Sequence, residues 1–91
     1  MGAKAEIAWT RHDEEGRKVH VCARRVGGDW RFSLQANRFD QWEPLAQPPL
    51  EDWLALLDAV RRRIQRRLLR PEEAASVERR IHQYFPGTTL D

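Results

Sequence analysis

Six arginines, Arg61, Arg62, Arg63, Arg66, Arg67 and Arg70, fall close together with no acid among them. Guanidinium groups are planar, permanently charged, and bond phosphate or carboxylate oxygens in pairs. A row of them suits a polyanion, because a charged stripe can follow a phosphate backbone. On a helix advancing by about 100° per residue, Arg62, Arg63, Arg66 and Arg70 gather on one flank, and Arg61 and Arg67 border the apolar side. The plainer reading is a solvated helix face whose cations complement the C-terminal dipole. Glu72, Glu73 and Glu78 on the next segment would then neutralise part of the charge. Fourteen of the sixteen basic residues are arginine, a bias that a GC-rich bacterial genome produces without selection for binding.

Trp42 is the second candidate. It lies in a proline-containing stretch rather than a periodic one, and Trp and Arg dominate the energetics of protein interfaces. If exposed, it is a partner-binding anchor. The other three tryptophans, Trp9, Trp30 and Trp53, sit at core positions of regular elements.

His12, His20 and Cys22 are potential metal ligands. His20 and Cys22 are two apart on a strand and share a face, with His12 diagonally across. No second cysteine or motif-spaced histidine completes a ligand set, so ordinary sheet-face residues are expected and no metal. There is no Gly-rich phosphate loop and no nucleophile elbow. Asp13 belongs to a turn, Glu51 and Asp52 to the first turn of a helix, and Asp58 to a solvated face. Catalysis is not expected.

The elements that position these residues follow from periodicity. Ala5 to Arg11 alternates, with Ala5, Ile7 and Trp9 on one side. Asp13-Glu14-Glu15-Gly16 reads as a type I turn closed by a left-handed glycine, the loop of a bulged hairpin. It places Arg11 opposite Val19, Trp9 opposite Val21 and Ile7 opposite Ala23. Lys18 to Val26 alternates in turn, and Gly27-Gly28 supplies positive φ at both central positions of a two-residue hairpin. That turn sets Arg25 opposite Trp30, Ala23 opposite Phe32, Val21 opposite Leu34 and Val19 opposite Ala36. Two independent turns thus put Trp9, Val21, Phe32 and Leu34 on one face. The other face carries Glu6, His20, Cys22, Arg24, Arg31 and Ser33, and no aromatic. A sheet platform that stacks single-stranded bases is therefore disfavoured.

Residues 38–49 lose the alternation and form a connector, with a short extended piece around Trp42 to Leu45. Phe39 and Trp42 are expected to tuck into the edge of the core. Trp53, Leu56, Leu57, Val60, Ile64 and Leu68 recur at helical spacing, and the helix should run to residues 68–70. The position before Pro71 is steered away from helix, and Pro71 opens a second helix as its first residue. Ala74, Val77, Ile81, Tyr84 and Phe85 make its stripe, and Thr88 to Asp91 should fray. A helix-turn-helix reader is disfavoured because acids, Glu72 and Glu73, open the second helix.

The 91 residues are 41% hydrophobic and 33% charged, with a net charge of +2, a globular composition too balanced to name a partner. No apolar run reaches a membrane span, and MGAKAEIAW lacks the plan of a signal peptide. One cysteine fits a reducing compartment, so a cytoplasmic location is expected. The fold expected is α+β: a three-stranded antiparallel β-meander, order 1-2-3, covered on one face by two consecutive C-terminal helices. It forms one domain over 1–91, with the sheet at about 4–37, connector 38–49, and helices at about 50–69 and 71–85. The function expected is a small non-catalytic protein-interaction module, with an unknown protein partner or itself in a homodimer. It would use Trp42 and the flank of Arg62, Arg63, Arg66 and Arg70. The alternative is nucleic-acid or polyanion binding through the Arg61–Arg70 stripe. No cofactor and no membrane partner are expected.

Overall fold

A computed structural model describes residues 6–37 and 40–90. Phe39, the start of the sheet before Glu6, and Asp91 lie outside the described residues. The chain is α+β, an antiparallel sheet followed by two C-terminal helices. It divides between Pro48 and Pro49 into two units.

In the first unit, β1 (Glu6–His12), β2 (Lys18–Val26) and β3 (Asp29–Gln35) form the meander. The sheet has four strands rather than three, because β4 (Glu43–Leu45) pairs antiparallel with β3, giving the order β1-β2-β3-β4. Pro44 sits opposite Ser33. Proline is tolerated on an edge strand, where its missing N–H faces no neighbour.

Both hairpins have the anticipated register. Asp13 N–H donates to the Arg17 carbonyl at 2.8 Å, Gly16 N–H donates to the Asp13 carbonyl at 3.0 Å, and Gly16 takes φ +80. The Asp13 carboxylate also accepts the N–H groups of Glu15 and Arg17, each at 2.9 Å. Those bonds, led by the one from Arg17, hold the Asp13 carboxyl below its ordinary range. Gly27 and Gly28 take φ +58 and +83, as a turn with two left-handed central residues requires. Trp9 faces Val21, Val21 faces Leu34 and Ala23 faces Phe32. The β2–β3 ladder closes at His20 opposite Gln35, so the expected pairing of Val19 with Ala36 does not form. Ile7, Val19, Val21, Ala23, Trp30 and Phe32 are buried on the anticipated face. Trp9 meets Phe32 edge-on, with ring centroids 6.1 Å apart.

The second unit is a helical hairpin of α1 (Leu50–Gln65) and α2 (Pro71–Tyr84). Trp53, Leu56, Leu57, Val60, Val77 and Ile81 are buried, and Trp53 packs on Tyr84 with centroids 5.8 Å apart. α1 stops a turn earlier than the apolar spacing suggests. A helix running on through Pro71 would drive the proline ring into the carbonyl of Arg67 and lose a bond to it. The chain instead turns at Arg67, with φ +61. Leu68 N–H donates to the Arg63 carbonyl at 2.8 Å, and Arg67 N–H to that of Ile64 at 2.9 Å. This bond pair is the Schellman cap, with arginine at the position usually given to glycine. Leu68 therefore leaves the apolar stripe and is 64% exposed, while Ile64 is half-buried.

Asp52 and Glu73 each occupy the third position of their helix and are the two buried carboxylates. Neither is orphaned: among the described residues, every buried side-chain nitrogen or oxygen has a hydrogen-bond partner. Thr88 is tied down rather than frayed, since its hydroxyl donates to the Phe85 carbonyl at 2.8 Å and its own carbonyl lies 3.1 Å from His82 Nε2.

Candidate functional site

The outer face of the sheet holds a groove of about 500 Å³ lined by Glu6, Cys22, Arg24, Val26, Arg31, Ser33 and Trp42. Strand pairing builds most of it. Glu6, Arg24 and Arg31 lie in one row across β1, β2 and β3; Cys22 and Ser33 lie in the next, beside Pro44 of β4. Pairing of β4 brings Trp42, the residue before it, to this face, so the face does carry an aromatic. Trp42 is 46% exposed and is not tucked into the core. Val26, also exposed, adds a second apolar surface.

The charges of the groove are arranged unequally. Arg24 donates to one Glu6 carboxylate oxygen through Nη2 at 3.0 Å and Nε at 3.2 Å. That bond offsets the like charge of Arg31 opposite Arg24. Arg31 makes no ion pair or side-chain hydrogen bond among the described residues. The groove thus offers an indole, an isopropyl group and one guanidinium that pairs with none of the described residues. Cys22 adds no nucleophile. Burial, followed by the nearby Glu6 carboxylate, pushes its thiol above the ordinary value, so it stays protonated near neutrality.

The arginines of the sequence separate into two sets in the second unit. Arg61, half-buried, reaches Glu78 of α2 at 3.0 Å. Arg62 reaches Asp58 one turn earlier on its own helix at 3.1 Å. Arg63, Arg66, Arg67 and Arg70 make no ion pair or side-chain hydrogen bond among the described residues. Of the three anticipated α2 acids, Glu78 pairs with the stripe, through Arg61. Glu73 is buried, and Glu72 pairs with none of the described residues.

Among the described residues, no three of His, Cys, Asp and Glu group to hold a metal ion. No helix among them is long and apolar enough to cross a membrane. The buried acids at the helix starts and the position of Trp42 on the outer face had no signal in the alternation. Only the short extended piece anticipated around Trp42 pointed toward the latter. The chain matches no protein-family model, no curated protein and no solved structure.

Proposed function

We propose that the protein is a non-catalytic interaction module that docks a protein partner, or a second copy of itself, on the outer face of its sheet. The observation that carries this reading is Trp42, half exposed and lining the same groove as Arg31, which pairs with none of the described residues. A large aromatic open to solvent in one groove with an arginine is the composition of an interface hot spot. The non-catalytic part is supported by what the acids do. Asp13 bonds its turn, Glu6, Asp58 and Glu78 hold arginines, and Asp52 and Glu73 are buried with partners. A reducing, cytoplasmic setting fits the single thiol of Cys22.

The test is native isolation of the tagged chain from its own cells, wild type beside Trp42→Ser, Arg31→Glu and Arg79→Ala, an exposed α2 control. A stoichiometric partner that is lost with the first two and kept with the third is expected. Equal recovery of every protein with Trp42→Ser would refute the reading. Light scattering of the purified chain covers self-association: a dimer that Trp42→Ser dissociates is the homodimer form of the same proposal.

A further inference from the structure

We propose that the turn closing α1 is a second, separate binding site, which takes the phosphate backbone of a double-stranded nucleic acid on Arg63, Arg66, Arg67 and Arg70. Arg66, Arg67 and Arg70 are exposed and Arg63 half-buried, and none of the four meets an acid among the described residues. Capping does not account for them either. Arginines near a helix end often bond its last carbonyls, but here the Arg62, Arg63 and Ile64 carbonyls accept backbone N–H groups of Arg66, Leu68 and Arg67. No guanidinium of the four bonds a backbone carbonyl among the described residues. Arg67 is held in the left-handed region at φ +61, where glycine would sit without strain. Strained backbone that persists points toward a use for the side chain it carries.

The class of ligand follows from spacing and surroundings. Arg63, in the last turn of α1, stands about one helical turn, roughly 5 Å, from Arg66 at its cap, and Arg67 and Arg70 follow in the turn, a cluster of cations suited to a polymer of anions rather than to a single carboxylate. A duplex carries one charge for about every 1.7 Å of its axis, dense enough to meet all four. Single strands are held by stacking on aromatics. The exposed aromatic of this unit, Tyr84, packs on Trp53 at the opposite end of the hairpin. An anionic bilayer would need a second anchoring signal beyond charge, and the turn offers it one exposed leucine, Leu68. Glu72, exposed in the first turn of α2, sets one negative charge against these four arginines.

The experiment is fluorescence anisotropy of the whole chain with a short labelled DNA duplex across about 50 to 200 mM salt. The expected plot of log K against log salt has a slope of roughly −3 to −4, from about 0.9 per phosphate neutralised. Arg66→Gln/Arg70→Gln should flatten it by roughly 2, with affinity at least about tenfold lower at the bottom of that range. Arg67→Gly keeps the cap and removes one guanidinium, so it should flatten the slope by roughly 1 without lowering the melting temperature. That variant separates lost contacts from lost folding. Absence of duplex binding at the lowest salt, or variant slopes equal to that of the wild type, would overturn the proposal. So would tighter binding to single strands, or to phosphatidylserine vesicles, than to the duplex.

Discussion

Replacing Arg67 isolates the backbone feature that ends α1. In an ordinary helix interior, alanine is favoured over glycine by about 0.5–1 kcal/mol. At φ +61 that order reverses, because a Cβ in the left-handed region costs about 1–2 kcal/mol. Glycine's larger loss of chain entropy on folding offsets about half of that gain. Arg67→Gly should therefore stabilise the protein by about 0.5–1 kcal/mol, a rise in melting temperature of roughly 2–6 °C for a chain of this size. Arg67→Ala keeps the Cβ and should change little. Ala75, exposed within α2, is the control: Ala75→Gly should cost about 1 kcal/mol. Thermal unfolding followed by circular dichroism reads all three. If Arg67→Gly melts no higher than Arg67→Ala, the left-handed cap, and the helix end it defines, are wrong.

Three further outcomes follow from named side chains. Asp52→Ala should destabilise by about 1–3 kcal/mol, because it leaves the partner of a buried carboxylate unpaired; a denaturant midpoint equal to wild type would show that the carboxylate bears no structural load. Asp13, with its carboxyl pKa lowered by the Arg17 and Glu15 N–H groups, stabilises the folded state above the ordinary aspartate range, and this contribution fades as pH falls below it. The difference in melting temperature between wild type and Asp13→Asn should accordingly shrink on acidification, and a gap that widens would reverse the sign of the linkage. Trp42→Ser should change stability by less than about 0.5 kcal/mol, as surface substitutions do; a larger loss in chemical denaturation would make Trp42 a packing residue rather than an anchor.

The two hairpins were legible because each turn has its own chemistry. Asp13 with Gly16, and Gly27 with Gly28, fix registers that agree on the face of Trp9, Val21 and Phe32. β4 was not legible as a sheet member, since three residues containing Pro44 cannot show alternation. Leu68 misled because its apolar spacing continues past Gln65, where the left-handed turn at Arg67, ahead of Pro71, ends α1. The buried state of Asp52 and Glu73 was hidden because an acid in the first turn reads equally well as exposed or enclosed. For the candidate site, helical spacing set Arg62, Arg63, Arg66 and Arg70 on one flank, but α1 ends at Gln65, so Arg66, Arg67 and Arg70 lie at its cap and in the turn beyond. The pair of Arg61 with Glu78 depended on the packing of α2, whereas Asp58 four residues before Arg62 was a helix-surface pair the spacing already offered. Trp42 stands out in the sequence as an anchor, but it lines a groove with Arg24 and Arg31, which alternation alone assigns to a face without aromatics.

The most direct measurement is site-specific photo-cross-linking in living cells, with a benzophenone amino acid in place of Trp42 and, as control, in place of the exposed Gln83. A docking surface on the outer sheet face predicts a discrete adduct from position 42, absent from position 83 and abolished by Arg31→Glu. No adduct specific to position 42, or one indifferent to Arg31, would contradict it.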